Sequence, residues 1–182
     1  MKLVFLRHGQ SEANARGWMG GALESPLTEL GRLQAEHARG ELPTFDVAWS
    51  SDLSRAMETA TIVLAGTLPL HTTPLLRERD MGHWATRPRK SLARQKHRLL
   101  SWTDAPDSAE SQLHVARRSV AFLATLPVAD TLIVAHGGVI RVVTGLLDDV
   151  PRDRIGELRV GNCEVLVRHV VAGQLQTLLE SL

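Results

Sequence analysis

Cysteine, tyrosine and lysine are scarce in this chain, and each scarcity excludes something. A single cysteine, Cys163, rules out a disulfide framework and a cysteine-only zinc site. No tyrosine is present, so tyrosine chemistry is excluded, and lysine occurs only at positions 2, 90 and 96, which leaves Schiff-base chemistry few candidates. Arginine therefore carries nearly all the positive charge. A surplus of one sign is also missing: 21 Lys and Arg against 20 Asp and Glu give a net charge of +1, and no global field points to nucleic acid or a membrane surface as partner. The opening apolar run is too short for a signal-peptide core or a spanning helix, so a cytoplasmic protein is expected.

What is present reads as an ordinary globular chain. Hydrophobic residues make up 43% and charged residues 23% of 182 positions. That length suits one domain over residues 1–182 and buries roughly 70% of the unfolded surface without a disulfide or metal.

The apolar run from Lys2 to Leu6 has no helical period and leads straight into Arg7-His8-Gly9; it reads as a buried strand. Residues 9–26 are rich in glycine and read as a functional loop. Thr28 caps a helix to about Gly40 with Leu30, Leu33 and Ala38 facing inward. Asp46 to Trp49 reads as a second strand, Ser54 to Ala65 as a helix stopped by Gly66, and Leu70 to Pro74 as an edge strand. Residues 75–108 have weak periodicity and dense charge. Beyond Ser108, Leu113, Ala116, Val120 and Leu123 recur at helical spacing until Pro127. Thr131 to Ala135 repeats the first pattern, an apolar strand ending in His136-Gly137-Gly138, and a helix follows to Leu147. Glu164 to Val171 and Gln174 to Leu178 read as a closing hairpin about Ala172-Gly173. Strands alternating with helices imply an α/β fold with a mostly parallel sheet covered on both faces.

Two apolar strands thus deliver a histidine beside glycine at their carboxyl ends, where open α/β sheets bind ligands. Helix N-termini at that edge offer free N–H groups to anions. His8 and His136 are placed to share one pocket, with Arg7 adjoining and Arg55 near the start of the helix after the second strand. Guanidinium groups grip phosphate with paired hydrogen bonds, and a neutral imidazole between them is a nucleophile for phosphorus. Arg-His-Gly alone is weak evidence, since a histidine is more often solvated than catalytic.

Longer blocks carry more. Leu6-Arg7-His8-Gly9-Gln10-Ser11-Glu12-Ala13-Asn14, Pro26-Leu27-Thr28-Glu29-Leu30-Gly31, Ser50-Ser51-Asp52-Leu53-Ser54-Arg55-Ala56, Leu76-Arg77-Glu78 and Ala135-His136-Gly137-Gly138-Val139-Ile140-Arg141 occur in an order that resembles the histidine phosphatase superfamily, the phosphoglycerate-mutase-like proteins. The resemblance covers most of the chain. It implies a three-layer α/β sandwich. His8 would be the nucleophile that becomes phosphohistidine, and Arg7, Arg55 and His136 would bind the phosphoryl group with Asn14 and Gly137. Glu78 would donate a proton to the leaving oxygen and then act as base toward water. The implied substrate is a small phosphate ester, and no metal or cofactor is required.

Within that resemblance two departures stand out: Trp84 leads into Ala85-Thr86 rather than Glu-Gly, and Ala109 precedes Glu110-Ser111 in place of glycine. Only 31 residues separate Glu78 from Glu110, and the long basic insertion of the family's mutases has no counterpart. A compact site open to water favours hydrolysis over mutase activity. The ending Leu158 to Val165 resembles the α-ribazole phosphatase branch, making α-ribazole phosphate one candidate substrate. A non-catalytic phosphate-binding module is the alternative of another class. The stretch Arg87 to Arg98, with six Lys or Arg and no acid, lies in an expected cap at about 79–108. It reads first as a solvated face and second as a lure for anionic substrates.

Overall fold

The computed structural model describes residues 1–105 and 108–182. Its five strands are β1 (Lys2–Arg7), β2 (Val47–Ser51), β3 (Leu70–Thr73), β4 (Thr131–Ala135) and β5 (Val165–His169). They form one sheet in the order β3-β2-β4-β1-β5. All neighbours are parallel except β5, which runs antiparallel to β1 at one edge. The helices are α1 (Glu12–Ala15), α2 (Glu29–Arg39), α3 (Ser54–Leu64), α4 (Lys96–Leu100), α5 (Gln112–Ala124), α6 (Gly137–Leu147), α7 (Arg152–Ile155) and α8 (Gln174–Glu180). No helix among the described residues is long and apolar enough to cross a membrane.

The two-residue period of β1 divides the core. Leu3 and Phe5 pack with Ile133 and Ala135 against α5, α6 and α8, while Val4 and Leu6 pack with Leu132 and Val134 against α2 and α3. Both faces are covered, so Leu3–Leu6 of β1 and Leu132–Ala135 of β4 are apolar without a break, and the two strands lie side by side with Leu6 opposite Val134 and Arg7 opposite Ala135. That register puts His8 and His136 next to each other. The His8 amide continues the ladder, donating to the Ala135 carbonyl at 3.0 Å.

Three expectations are corrected. Gln174 to Leu178 is not a strand but the start of α8, so the hairpin at Ala172-Gly173 does not form. Gly173 adopts a left-handed turn, φ 80°, and Leu175, Leu178 and Leu179 then fall on one helical face against the α5 layer; a five-residue apolar alternation cannot separate the two periods. On α2, Leu30 and Leu33 are 50% and 55% exposed, and Gly31, Ala35 and Ala38 face inward instead. The reason is backbone contact: a Cβ on Gly31 would lie 2.1 Å from the Gln10 carbonyl oxygen, so the helix turns its glycine to the loop after β1. The helix expected after Ser108 starts only at Gln112, where Ser111 caps it through a capping box with His114. Of the expected cap at 79–108, residues 106 and 107 lie outside the described residues. The rest comprises short 3-10 turns at Gly82–Trp84 and Arg89–Gln95 followed by α4.

Candidate active site

The carboxyl ends of β1, β2 and β4 bring the site together. His8 is buried, and its Nδ1 lies 2.6 Å from the Gly9 carbonyl oxygen. A carbonyl only accepts, so Nδ1 carries the hydrogen and Nε2 keeps its lone pair. Nε2 accepts from Arg55 Nε at 3.3 Å. Burial, then His136, Arg55 and Arg7 close by, hold the His8 pKa well below the ordinary imidazole value, although the Gly9 carbonyl works the other way. The ring is therefore neutral near pH 7, the state a nitrogen nucleophile needs.

His136, the residue before α6, stands edge-on to His8 with ring centroids 5.0 Å apart. Its Nε2 meets Ser51 Oγ at 2.9 Å, and its Nδ1 is buried without a hydrogen-bond partner among the described residues. Ser51 Oγ also accepts from the Leu53 amide at 3.3 Å. Ser51 Oγ still holds its hydroxyl hydrogen and can donate it to His136 Nε2, an arrangement that puts the ring hydrogen on Nδ1. Burial and the cations Arg55, Arg7 and Arg118 lower the His136 pKa well below its usual range.

Arg55 comes from the first turn of α3. Its NH1 and NH2 donate to the Leu23 and Gly21 carbonyls at 2.8 Å each, so the glycine loop aims its Nε at His8. Thr59 accepts from the Gly9 amide at 3.1 Å and donates to the Arg55 carbonyl, tying the loop after β1 to α3. Gly9 must be glycine, since a Cβ there would lie 2.2 Å from the Gly31 carbonyl oxygen. Arg7 is anchored through NH1 to the Val160 carbonyl at 2.7 Å, and its Nε is buried without a hydrogen-bond partner among the described residues.

Asn14 sits on α1, where Ser11 caps the helix and Asn14 completes a capping box. Its Oδ1 accepts from the Ser11 amide and from Asn162 Nδ2, at 3.3 and 3.2 Å, which turns its NH2 group to the pocket as the donor end. Asn162 also donates to the His8 carbonyl at 2.9 Å.

Glu78 reaches in from the segment after β3. Its Oε2 accepts from the Gly138 amide in the first turn of α6 at 3.0 Å, and its Oε1 from the Arg79 amide at 2.8 Å. Burial alone would raise its pKa. The Gly138 and Arg79 amides with Arg141 and Arg55 outweigh that and keep it below the ordinary glutamate value. A Cβ on Gly138 would lie 2.1 Å from Glu78 Oε1, so this close approach requires glycine.

Arg7, His8, Asn14, Arg55 and Glu78 line one small cavity of ≈ 20 Å³, with Arg89 at its rim. His136 stands beneath His8 rather than on the wall, and Gly137 lines the adjoining wider cleft of ≈ 120 Å³. Residues expected at the site are thus brought together. Others come with them that sequence reading did not assign to the site, Ser51, Thr59, Asn162 and Arg141, and Arg89 comes from the basic run read as a lure for anions. Arg141 had a legible signal, lying one helical turn beyond Gly137 and so on the same face; Asn162 had none. The basic run is largely exposed, but residues 85–89 pair with 17–20 through Gly20 to Ala85, Met19 to Arg87 and Arg89 to Gly17 backbone bonds of 2.9–3.0 Å. That ribbon carries Arg89 to the mouth of both cavities. No group of three or more His, Cys, Asp or Glu stands together as a metal cluster among the described residues.

Known proteins resemble this chain in sequence and in fold. Residues 3–179 match the family model described as histidine phosphatase superfamily (branch 1). An adenosylcobalamin/α-ribazole phosphatase of Salmonella typhimurium is 32% identical over 88% of this chain and 86% of its own. A glucosyl-3-phosphoglycerate phosphatase of Mycolicibacterium vanbaalenii is 36% identical over 84% of this chain and 76% of its own. The solved mycobacterial glucosyl-3-phosphoglycerate phosphatase complexed with VO3 superposes with a TM-score of 0.81 at 32% identity, covering 91% of each chain.

Proposed function

The chain belongs to branch 1 of the histidine phosphatase superfamily, and from that premise we propose that it hydrolyses phosphate monoesters through a phosphohistidine formed on His8. One observation carries the reading: the Gly9 carbonyl fixes the His8 tautomer so that Nε2 keeps its lone pair, held at rest by Arg55 Nε, beside a cavity lined by Arg7, Arg55 and Glu78.

In the first step Nε2 attacks phosphorus, the ester P–O bond breaks, and Glu78 gives its proton to the departing oxygen. In the second, Glu78 takes a proton from water, the hydroxide attacks phosphorus, the P–N bond breaks, and inorganic phosphate leaves with His8 neutral again. Phosphoryl transfer asks mainly for positioning and charge stabilisation. Arg7 Nε, Arg55, Asn14 and the His136 Nδ1–H supply donors, and the N-terminus of α6 points its positive end to the same place. Glu78 is ionised in the resting site, so its catalytic proton arrives as the substrate's negative charge raises its pKa. The named relatives bring α-ribazole phosphate and glucosyl-3-phosphoglycerate as candidate substrates, and both are phosphate monoesters.

The test is hydrolysis of 4-nitrophenyl phosphate with and without a chelator. Release of phosphate at an unchanged rate is expected. Loss of activity with chelator, restored by a divalent ion, contradicts the mechanism.

A further inference from the structure

Glu78 stands on a stretch without regular structure. β3 ends at Thr73, a 3-10 turn covers Pro74–Leu76, and residues 77–80 belong to neither strand nor helix. A group that must deliver a proton tolerates little displacement, since about 1 Å of misplacement costs about a hundredfold in rate. The backbone that carries Glu78 has no ladder to hold it, so its hydrogen bonds go elsewhere. They go to two side chains of the α5 region: Glu110, just ahead of the Ser111 cap, and Arg118, in the middle of the helix.

Arg118 grips both oxygens of Glu110, through Nε to Oε1 at 2.9 Å and through one terminal nitrogen to Oε2 at 3.0 Å. The other terminal nitrogen donates to the Leu75 carbonyl at 2.7 Å, and a longer contact of 3.4 Å runs to the Glu78 carbonyl. Glu110 fastens the far side of the acid. Its Oε2 accepts from the Asp80 amide at 2.9 Å, its amide donates to the Asp80 carbonyl at 3.0 Å, and its carbonyl accepts from Arg79 Nε at 2.7 Å. One ion pair thus ties down the chain on both sides of Glu78. The Arg118 side chain is 17% exposed, against 47% for Arg77 in its pair with Asp52, so the charge is better shielded from water there, and the two-point grip adds direction. Neither Glu110 nor Arg118 lines the catalytic cavity or the cleft beside it, so neither touches the ester.

We propose that Glu110 and Arg118 are positioning residues for the proton transfer: their ion pair holds residues 75–80 so that the Glu78 carboxyl keeps its hydrogen bonds to the Gly138 and Arg79 amides and stays within reach of the leaving oxygen. The inference rests on the hydrolase reading and concerns its first chemical step. Cleavage of the P–O bond needs a proton from Glu78 only when the leaving oxygen is basic. Breaking the pair therefore penalises esters of basic alcohols and phenols and spares activated ones.

The experiment compares kcat/KM, which reports the steps up to loss of the alcohol, for phenyl phosphate and 2,4-dinitrophenyl phosphate. Arg118→Met should lower it about tenfold to a hundredfold for phenyl phosphate and far less for the dinitrophenyl ester. Arg118 also lowers the His136 pKa through its charge, an effect common to both esters that cancels in their ratio. Glu110→Gln keeps the shape and one acceptor, so it should move the ratio the same way by less, and it carries the test if the first variant does not fold. In a Glu78→Gln background Arg118→Met should leave the ratio unchanged, because the group it positions is gone. A wild-type ratio in both single variants, or the same shift with Glu78 already replaced, overturns the proposal, as does a wild type that hydrolyses only the dinitrophenyl ester. No turnover of either ester by the wild type overturns the hydrolase reading instead. Hydrogen exchange of the Gly138 amide, which donates to Glu78, then decides: exchange about tenfold faster in Arg118→Met supports the brace, and an unchanged rate refutes it.

Discussion

At the scale of the residue, His8 and His136 are unlike typical histidines because they are neutral by burial among cations. That has a cost when the pH falls. Both have folded-state pKa values well below 6.5. As the pH falls through 6.5 the unfolded chain therefore takes up two protons that the native site refuses. More protons on the unfolded state means stability rises with pH, so it is lost on acidification from the unfolded pKa downward. The limiting slope for two such groups is about 2.7 kcal/mol per pH unit. Urea titrations at pH 7.0, 6.0 and 5.0 should show the midpoint falling steeply, and His136→Gln should flatten the dependence to about half. A midpoint unchanged over that range would mean the two rings are not held neutral. Ser51 belongs to the same account, since its Oγ meets His136 Nε2 at 2.9 Å and so bears on which ring nitrogen carries the hydrogen.

At the scale of the element, α6 holds Glu78 as much as the segment carrying Glu78 does. The Gly138 amide donates to its carboxylate, and a methyl group at position 138 would overlap Oε1. Gly138→Ala should displace the carboxylate and lower kcat by about a hundredfold, the size of effect expected when a positioned group is lost. The melting temperature should shift by no more than a few degrees. A variant with wild-type kcat would remove Glu78 from the proton transfer.

Elements were legible in the sequence where one face met one period: β1, β4, α3 and α6 are buried strands and helices with uninterrupted patterns, and Thr28 marks its cap. Legibility failed where tertiary contact overrode pattern. The leucines of α2 point to solvent because Gly31 must meet the loop after β1, and α8 is helical because Leu175, Leu178 and Leu179 find the α5 layer. The residues supplied by the strand ends were readable at the site, since strand-end position alone restricts them. Asn162 and Ser51 were not, because their roles depend on which backbone groups other elements leave unpaired.

At the scale of the molecule, a net charge of +1 conceals a strongly positive cleft. The glycine loop and the 85–89 ribbon roof that cleft from one side, with Arg89 the part of the basic run that reaches both cavities. A phosphoenzyme whose site stays open to water would lose its phosphoryl group to solvent. Supplied with 3-phosphoglycerate, the protein should release inorganic phosphate and form little 2-phosphoglycerate. Product analysis by phosphorus NMR checks this; efficient isomerisation with minor phosphate release would make the chain a mutase.

The central claim is covalent: the phosphoryl group passes through His8 Nε2. It is tested most directly by mixing the protein with a 32P-labelled phosphate monoester, quenching within the first turnover, and mapping the label. The account predicts acid-labile, base-stable label on the peptide containing His8, absent from His8→Asn, whose turnover is lost while its circular dichroism is kept. Full turnover with no label on the protein, or a His8→Asn variant that hydrolyses at the wild-type rate, would contradict it.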